Sequence, residues 1–216
     1  MARLRLGVMI SGRGSNLQAL IDACSGLAFP AEIACVVSNV RGALGIERAR
    51  SAGIPTVVVP HKSYADRESF EADLTRVHHA HGVDLICNAG FMRILTPSFF
   101  DKWPDRVINI HPSLLPAFPG LKTHERAIAA GCRFSGCTVH FSRPDVDAGP
   151  IIVQAAVPIH PSDTPESLAE RVLAEEHRIY PLAVQWIAEG RIQFDGARVL
   201  VTGAEAPAGT LTNPAS

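Results

Sequence analysis

An asparagine and a histidine stand two residues apart at the end of an apolar stretch, in Val107-Ile108-Asn109-Ile110-His111. Side chains two positions apart on a β-strand point to the same face, so an amide and an imidazole would converge on one spot. That pair suits a reaction that moves a proton near neutral pH and develops negative charge on an oxygen. A single histidine at a strand end is more often structural than catalytic, so both interpretations stand at this point.

A second candidate site is the turn Ser11-Gly12-Arg13-Gly14-Ser15-Asn16, between the first predicted strand and the first predicted helix. Glycines let the backbone turn tightly and approach a ligand. A helix start offers free N–H groups and the positive end of the helix dipole to an anion. Leu17 replaces the third glycine of the dinucleotide fingerprint, and no acidic residue ends the second strand. The turn therefore favours a single phosphate over a dinucleotide, with a turn that binds nothing as the alternative.

The elements that must position these residues follow a repeated strand–helix order. Apolar runs predict strands at 4–10, 33–37, 56–59, 83–87 and 107–110, with helices around 17–21, 46–52 and 66–80 between them. This order predicts an α/β fold, a doubly wound and mostly parallel sheet with helices on both faces. In such sheets the carboxyl ends of the strands line the ligand crevice, which is where both candidate sites fall.

The second half of the chain changes character. A proline-rich loop at 111–120 leads to Thr123, which is predicted to cap a short helix ending at Ala130. Two β-rich segments, 137–141 and 151–157, predict an antiparallel element. A long helix is predicted to start at Pro165 and to break or kink at Pro181, because proline cannot donate the helical hydrogen bond.

Composition limits the classes of partner. The 216 residues carry a net charge of -1 and 47% hydrophobic residues, which gives no broad basic surface for nucleic acid or an anionic membrane. The first apolar run stops at Ser11, too early for a signal peptide or a membrane span. Five cysteines without a Cys-x-x-Cys pair indicate a reduced, cytoplasmic compartment.

Three histidines close together, His78, His79 and His81, could suggest a metal site. Neighbouring positions on a helix face different directions, and no cysteine or carboxylate set stands nearby at ligand spacing. We therefore expect a solvated helix end and no metal. His140 shares a strand face with Thr138 and could equally border the site or be a core residue.

Longer motifs carry a family resemblance. The segment 109–116, Asn-Ile-His-Pro-Ser-Leu-Leu-Pro, with Asp147-Ala148-Gly149-Pro150 further on, resembles the folate-dependent formyltransferase superfamily. Four more segments narrow the resemblance to the members that formylate glycinamide ribonucleotide. These segments are Gly12–Ala19, Gly90–Leu95, Phe118–Leu121 and Glu176–Pro181. The similarity runs from about Leu4 to Arg191.

The resemblance implies a Rossmann-like formyltransferase fold and a reaction. The formyl group of 10-formyltetrahydrofolate, a co-substrate, would pass directly to the amine of N1-(5-phosphoribosyl)glycinamide in purine biosynthesis, through a tetrahedral oxyanion and without a metal. Asn109, His111 and Asp147 would be catalytic. The ribonucleotide would contact Gly14, Ser15, Asn16 and Glu176. The folate would contact Arg67, Met92, Arg93, Ile94, Leu95, Asn109, Arg143, Asp145, Val146 and Asp147.

Two other functions stay open on the sequence: a formyltetrahydrofolate deformylase, and a non-catalytic module that binds a mononucleotide. We expect small-molecule substrates as the partners, no nucleic acid or membrane, and a monomer or a homodimer. Residues 1–203 are expected to form a single formyltransferase domain, with a phosphate-binding lobe over about 1–110 and a folate-side lobe over 111–203. Residues 204–216, rich in Ala, Gly, Pro and Thr, are expected to be disordered.

Overall fold

A computed structural model describes residues 2–214 and shows a seven-stranded sheet in the order β3-β2-β1-β4-β5-β6-β7. The strands are β1 (Leu4–Ile10), β2 (Ala31–Ser38), β3 (Thr56–Val58), β4 (Leu85–Asn88), β5 (Val107–His111), β6 (Phe134–Phe141) and β7 (Ile151–Pro158). Strands β1 to β5 pair in parallel, whereas β6 is antiparallel to both β5 and β7. The predicted α/β class, the mostly parallel sheet and the antiparallel element are confirmed.

Helices cover both faces of the sheet, as predicted. They are α1 (Ser15–Cys24), α2 (Leu44–Ser51), α3 (Arg67–Ala80), α4 (Pro97–Lys102), α5 (Thr123–Ala129) and α6 (Pro165–Ala188). One apolar core lies between the sheet and α1, α2, α5 and α6, and a second lies under α3 and α4. Burial on both faces explains why β1 and β2 read as continuous apolar runs. Within residues 2–214, no helix is long and apolar enough to cross a membrane.

The strand order places a crevice at the carboxyl ends of β1 and β4. Strand β1 pairs with β2 on one side and with β4 on the other, so the connections leave it in opposite directions. This is the topological switch point at which open α/β sheets bind ligands. The Ser11 N–H donates to the Gly90 carbonyl at 3.1 Å and holds the two strand ends together.

The predicted cap at Thr123 is wrong, and of the break or kink predicted at Pro181 the break is not found. Thr123 is the first residue of α5, and its cap is Lys122 with φ 57°; the Thr123 side chain is buried and packs inside. Helix α6 is not broken at Pro181. Tyr180, Ala183 and Val184 are fully buried on both sides of the proline, and this packing outweighs a local cost of about 3 kcal/mol.

The C-terminal part contains a hairpin that the sequence analysis did not predict. Strands β8 (Ile192–Asp195) and β9 (Arg198–Val201) form a separate antiparallel pair, and Phe194 packs against Phe141 of β6. Residues 204–214 form no helix or strand, and the Asn213 amide donates to the carbonyls of Arg133 and Ile159. The last two residues of the predicted tail lie outside the described residues.

Candidate active site

His111 ends β5 with both ring nitrogens next to acceptors. Its Nδ1 lies 3.3 Å from Asp147 Oδ2, and its Nε2 lies 3.0 Å from the Phe118 carbonyl oxygen. The ring is 5% exposed. Each ring nitrogen of His111 therefore has one acceptor to which it can donate when it carries a proton. His111 and Asp147, which the sequence analysis paired, are therefore in contact although they lie 36 positions apart in the sequence.

Asp147 reaches His111 because its loop folds back over the sheet. Its backbone adopts φ 54°, a left-handed conformation that costs a non-glycine residue on the order of 1–3 kcal/mol. Asp147 Oδ2 also accepts from the Gly120 N–H at 2.8 Å. Gly149 allows the close approach, because a Cβ there would lie 1.7 Å from the Phe141 carbonyl oxygen. The loop thus fixes one carboxylate oxygen between two donors.

His140 belongs to this cluster, which settles a question that the sequence left open. Its Nε2 lies 3.3 Å from Asn109 Nδ2 and 3.7 Å from Asp147 Oδ1. Burial lowers the pKa of His140, and the nearby charge of Asp147 opposes that effect. In the neutral ring, Nδ1 donates to the Phe141 carbonyl and Nε2 accepts from Asn109. His140 therefore orients the Asn109 amide.

The glycine turn adopts a conformation that requires glycine. Gly14 caps α1 with φ 72°, and a Cβ there would lie 2.7 Å from the Gly45 Cα. The first N–H groups of a helix have no acceptor within the helix, so they face the turn. Arg13 is exposed, and its carbonyl accepts from Arg48 Nε at 3.0 Å, which places the positive charge of Arg48 beside the turn. Sequence reasoning missed Arg48, because α2 meets the turn only in the fold.

Two of the residues predicted to hold the ribonucleotide touch each other. Asn16 Nδ2 donates to Glu176 Oε2 at 2.6 Å, although the residues are 160 positions apart. Burial raises the pKa of Glu176, and the hydrogen bond from Asn16 acts in the opposite direction. Asn16 Oδ1 is buried and has no hydrogen-bond partner among residues 2–214. The pair thus joins the turn to Glu176 and leaves one buried acceptor, Asn16 Oδ1, without a partner among the described residues.

The predicted folate residues are distributed around the same crevice. Met92 and Ile94 are 63% and 56% exposed, whereas the Leu95 side chain lies in the core. Any contact of Leu95 with a ligand would therefore use its backbone.

The remaining predicted folate residues occupy two places. Arg67 is exposed at the first position of α3. Asp145 and Val146 are exposed on the loop that carries Asp147. Arg143 on this loop forms an ion pair with Asp105. The loop thus has an exposed tip and a fixed base.

Comparison with known proteins decides the family. Residues 4–184 match the formyl transferase family. The chain belongs to the formyl transferase family. It is 42% identical to the phosphoribosylglycinamide formyltransferase of Haemophilus influenzae, over 94% of this chain and 96% of that protein.

A solved structure and a longer relative extend the comparison. Glycinamide ribonucleotide transformylase 1 from Symbiobacterium toebii superposes on this formyl transferase with a TM-score of 0.90 and 48% identity, covering 92% of this chain and 94% of the other. The trifunctional purine biosynthetic protein adenosine-3 of Drosophila melanogaster is 52% identical over 87% of this chain. The chain spans only 14% of that protein's length.

The histidines of α3 do not form a metal site. Within residues 2–214, no group of three or more His, Cys, Asp and Glu residues could hold a metal ion. The expectation of a solvated helix end was wrong for His78, which is fully buried. Gly7 explains this burial: a Cβ there would lie 2.3 Å from the His78 ring, so the missing side chain makes the room.

Proposed function

We propose that this member of the formyl transferase family transfers the formyl group of 10-formyltetrahydrofolate to the amine of N1-(5-phosphoribosyl)glycinamide in purine biosynthesis. The observation that carries the proposal is the contact between His111 and Asp147 beside Asn109, at the end of β5. The turn at residues 11–16, called the anion turn below, contains Asn16, and Asn16 contacts Glu176. One part of the protein can therefore hold the phosphate of a substrate and, next to it, the group that carries the reacting amine.

The proposed chemistry needs an amide donor and a proton source. The neutral amine attacks the formyl carbon, and negative charge develops on the formyl oxygen. Asn109 Nδ2 and the His111 imidazolium donate hydrogen bonds to that oxygen. The bond between the formyl carbon and the folate nitrogen then breaks, and that nitrogen takes up a proton from His111 or from a water linked to it; the proton released by the attacking amine restores the donor. Asp147 holds Nδ1, so the proton that moves is the one on Nε2.

The carbonyl of Phe118 accepts from the ring nitrogen that the proposal assigns to the oxyanion. His111 Nε2 lies 3.0 Å from this carbonyl oxygen. For Nε2 to donate to substrate, the loop that carries Phe118 has to release this hydrogen bond. Phe118 has φ 54°, so its present conformation is not a relaxed one for a residue with a side chain.

The two substrates are assigned to neighbouring parts of the crevice. The phosphate binds the N–H groups at Gly14, Ser15 and Asn16, with Arg48 adding positive charge from α2. Glu176 contacts the ribose or the glycinamide part. The folate binds along residues 92–95, against Arg67, Asn109 and the 143–147 loop. Reactant proximity then supplies much of the rate enhancement.

We further propose that residues 1–203 act as a single formyltransferase domain, with the phosphate-binding lobe in about 1–110 and the folate-side lobe in 111–203. The protein works in the cytoplasm as a monomer or a homodimer, without a metal. Crevice residues from both lobes support the single domain, since Asn16 of the first contacts Glu176 of the second.

One assay tests the reaction. Release of the folate product is followed with and without glycinamide ribonucleotide. We expect release to depend on the ribonucleotide, and the formylated ribonucleotide to appear in equal amount. Equal release with water alone would instead indicate the deformylase. Binding of the ribonucleotide without any turnover would indicate the non-catalytic module.

A further inference from the structure

The segment Phe91–Thr96 joins β4 to α4 and includes four of the residues proposed to contact the folate. Its Met92 and Ile94 side chains are largely exposed, which is unusual for two apolar residues so close together. Phe91 and Leu95 pack on the core under α3 and α4, whereas the exposed residues between them need other interactions to keep one conformation. Two polar side chains outside the proposed catalytic and folate-binding groups hold its ends.

Glu71 holds the carboxyl end of the segment. The Thr96 N–H donates to Glu71 Oε1 at 2.8 Å, and the Thr96 hydroxyl donates to Glu71 Oε2. Glu71 lies on α3 and is 3% exposed. Removing a carboxylate from water is costly unless hydrogen bonds compensate, and here both donors come from a single residue of the segment. The cost of burying Glu71 is therefore offset by fixing Thr96.

Ser11 holds the other end. The Met92 N–H donates to Ser11 Oγ at 2.8 Å, and the Ser11 hydroxyl donates to Asn39 Oδ1 at 2.6 Å. Because Ser11 follows β1 directly, this anchor ties the segment to the strand that leads into the anion turn. Met92 and Thr96, the two anchored residues, flank Arg93, Ile94 and Leu95. The backbone between the anchors is thus fixed at both ends.

We propose that Glu71 and Ser11 are positioning residues for the folate co-substrate: they hold residues 92–95 in the conformation that binds it. This inference rests on the proposed function, which assigns those residues to the folate. Within residues 2–214, the Glu71 side chain makes hydrogen bonds to Thr96 and none to the turn at 11–16 or to Glu176, so loss of this anchor should weaken folate binding and spare ribonucleotide binding.

The test compares two substitutions at Thr96, which change one anchor by small steps, with one control substitution. Thr96→Val removes the hydroxyl and keeps the N–H. Thr96→Ser keeps both donors. Glu68→Gln removes a carboxylate from an exposed position on the same helix and serves as the control. For each protein, calorimetry gives the Kd of a non-reactive formyl-folate analogue and, separately, the Kd of glycinamide ribonucleotide.

We expect Thr96→Val to raise the Kd of the folate analogue about tenfold, the effect of one lost buried hydrogen bond. The Kd of the ribonucleotide should change less than about twofold. Thr96→Ser and Glu68→Gln should bind both ligands as the unsubstituted protein does. A merely structural role of the anchor would weaken both ligands together or neither, and either result overturns the inference.

Ser11→Ala tests the other anchor and decides the matter if Thr96→Val fails to fold. It should raise the folate Kd by a similar factor. An unchanged folate Kd in a folded Ser11→Ala protein overturns the inference. Failure of the proposed function looks different: the unsubstituted, folded protein would then not bind the folate analogue at all, or would release the folate product equally with water alone.

Discussion

Two regions of the molecule each bury a histidine, and they use it in opposite ways. His111 in the crevice is 5% exposed, and His78 in the core under α3 is fully buried. Both nitrogens of His111 face acceptors, a carboxylate and a carbonyl. In His78 only Nδ1 is paired, 2.6 Å from the Leu74 carbonyl oxygen, and Nε2 has no partner among residues 2–214. Burial is common to both, so it is the partners that distinguish the histidine we propose to be catalytic from the one in the core.

The residues around each histidine explain why the two rings differ. His78 packs against Trp103 and the bare backbone of Gly7, and burial lowers its pKa to about 4. That ring stays neutral near pH 7 and has no group beside Nε2 with which to exchange a proton. His111 instead lies 3.3 Å from the carboxyl group of Asp147. The chemistry we propose therefore belongs to only one of these two regions.

The largest expected effect comes from the carboxylate beside His111. Asp147→Asn keeps the shape but removes the carboxylate that contacts Nδ1, so the His111 ring is less firmly oriented. We expect kcat to fall roughly 10² to 10⁴-fold, the usual scale for general acid–base catalysis, with little change in folate affinity. Steady-state kinetics measures this, and Asp195→Asn, an exposed carboxylate on β8, is the control.

The same kinetics shows whether Asp147 acts through His111. The double variant Asp147→Asn with His111→Asn should lose little more activity than His111→Asn alone, because residues that act as a unit are not additive. If the loss of kcat in the double variant equals the product of the two single losses, Asp147 works independently of His111. The partners of His111 would then not explain its proposed role.

The core histidine should affect stability rather than turnover. Since the pKa of His78 falls from 6.5 to about 4 on folding, the unfolded chain binds the proton first as the pH drops. The stability that the neutral ring contributes is fully present above pH 6.5 and is lost as the pH falls toward 4. The loss is roughly 3 kcal/mol, at about 1.4 kcal/mol per pKa unit.

His78→Leu removes this titration. Urea unfolding between pH 4 and pH 7.5 should show a flatter dependence of the unfolding free energy on pH in the variant, and kcat at pH 7 should be unchanged. Taking the difference between the two proteins cancels other titrating groups such as Glu176. If the unfolding free energies of the two proteins depend on pH in the same way, burial does not lower the pKa of His78.

A smaller effect is expected within the crevice, where the two substrates are proposed to bind at different places. Ser15→Asp places a carboxylate where the phosphate is proposed to bind, and like charges repel. We expect the Kd of glycinamide ribonucleotide to rise about tenfold, or 1.4 kcal/mol, while the Kd of a folate analogue stays nearly the same. Titration of each ligand separately measures this. Equal losses for both would contradict the assignment of the turn.

The smallest effect lies outside both regions. Deletion of residues 204–216 should leave kcat/KM nearly unchanged, since residues 204–210 are exposed and carry no helix or strand. Loss of the Asn213 hydrogen bonds to Arg133 and Ile159 should cost little stability. A tenfold or larger fall in kcat/KM would show that the tail reaches the crevice.

The sequence by itself determined the parts that depend on neighbouring residues. Apolar runs gave the strands of the parallel sheet, and the glycines around Arg13 gave the turn, because strand burial and turn geometry are local properties. The spacing of Asn109 and His111 placed both on one face of β5 for the same reason. The motifs around Asp147 and Glu176 supplied the family, and through it the roles of residues far apart in the chain.

Only the tertiary structure decided which distant groups meet. It buried His78 against Gly7 and brought His140 to Asn109, and neither spacing nor residue type could separate those two outcomes. It placed Arg48 beside the anion turn and Glu71 under Thr96. It also allowed helix α6 to continue past Pro181. In each case the energy of packing or of a buried hydrogen bond exceeds the local preference, and that energy exists only once the chain has folded.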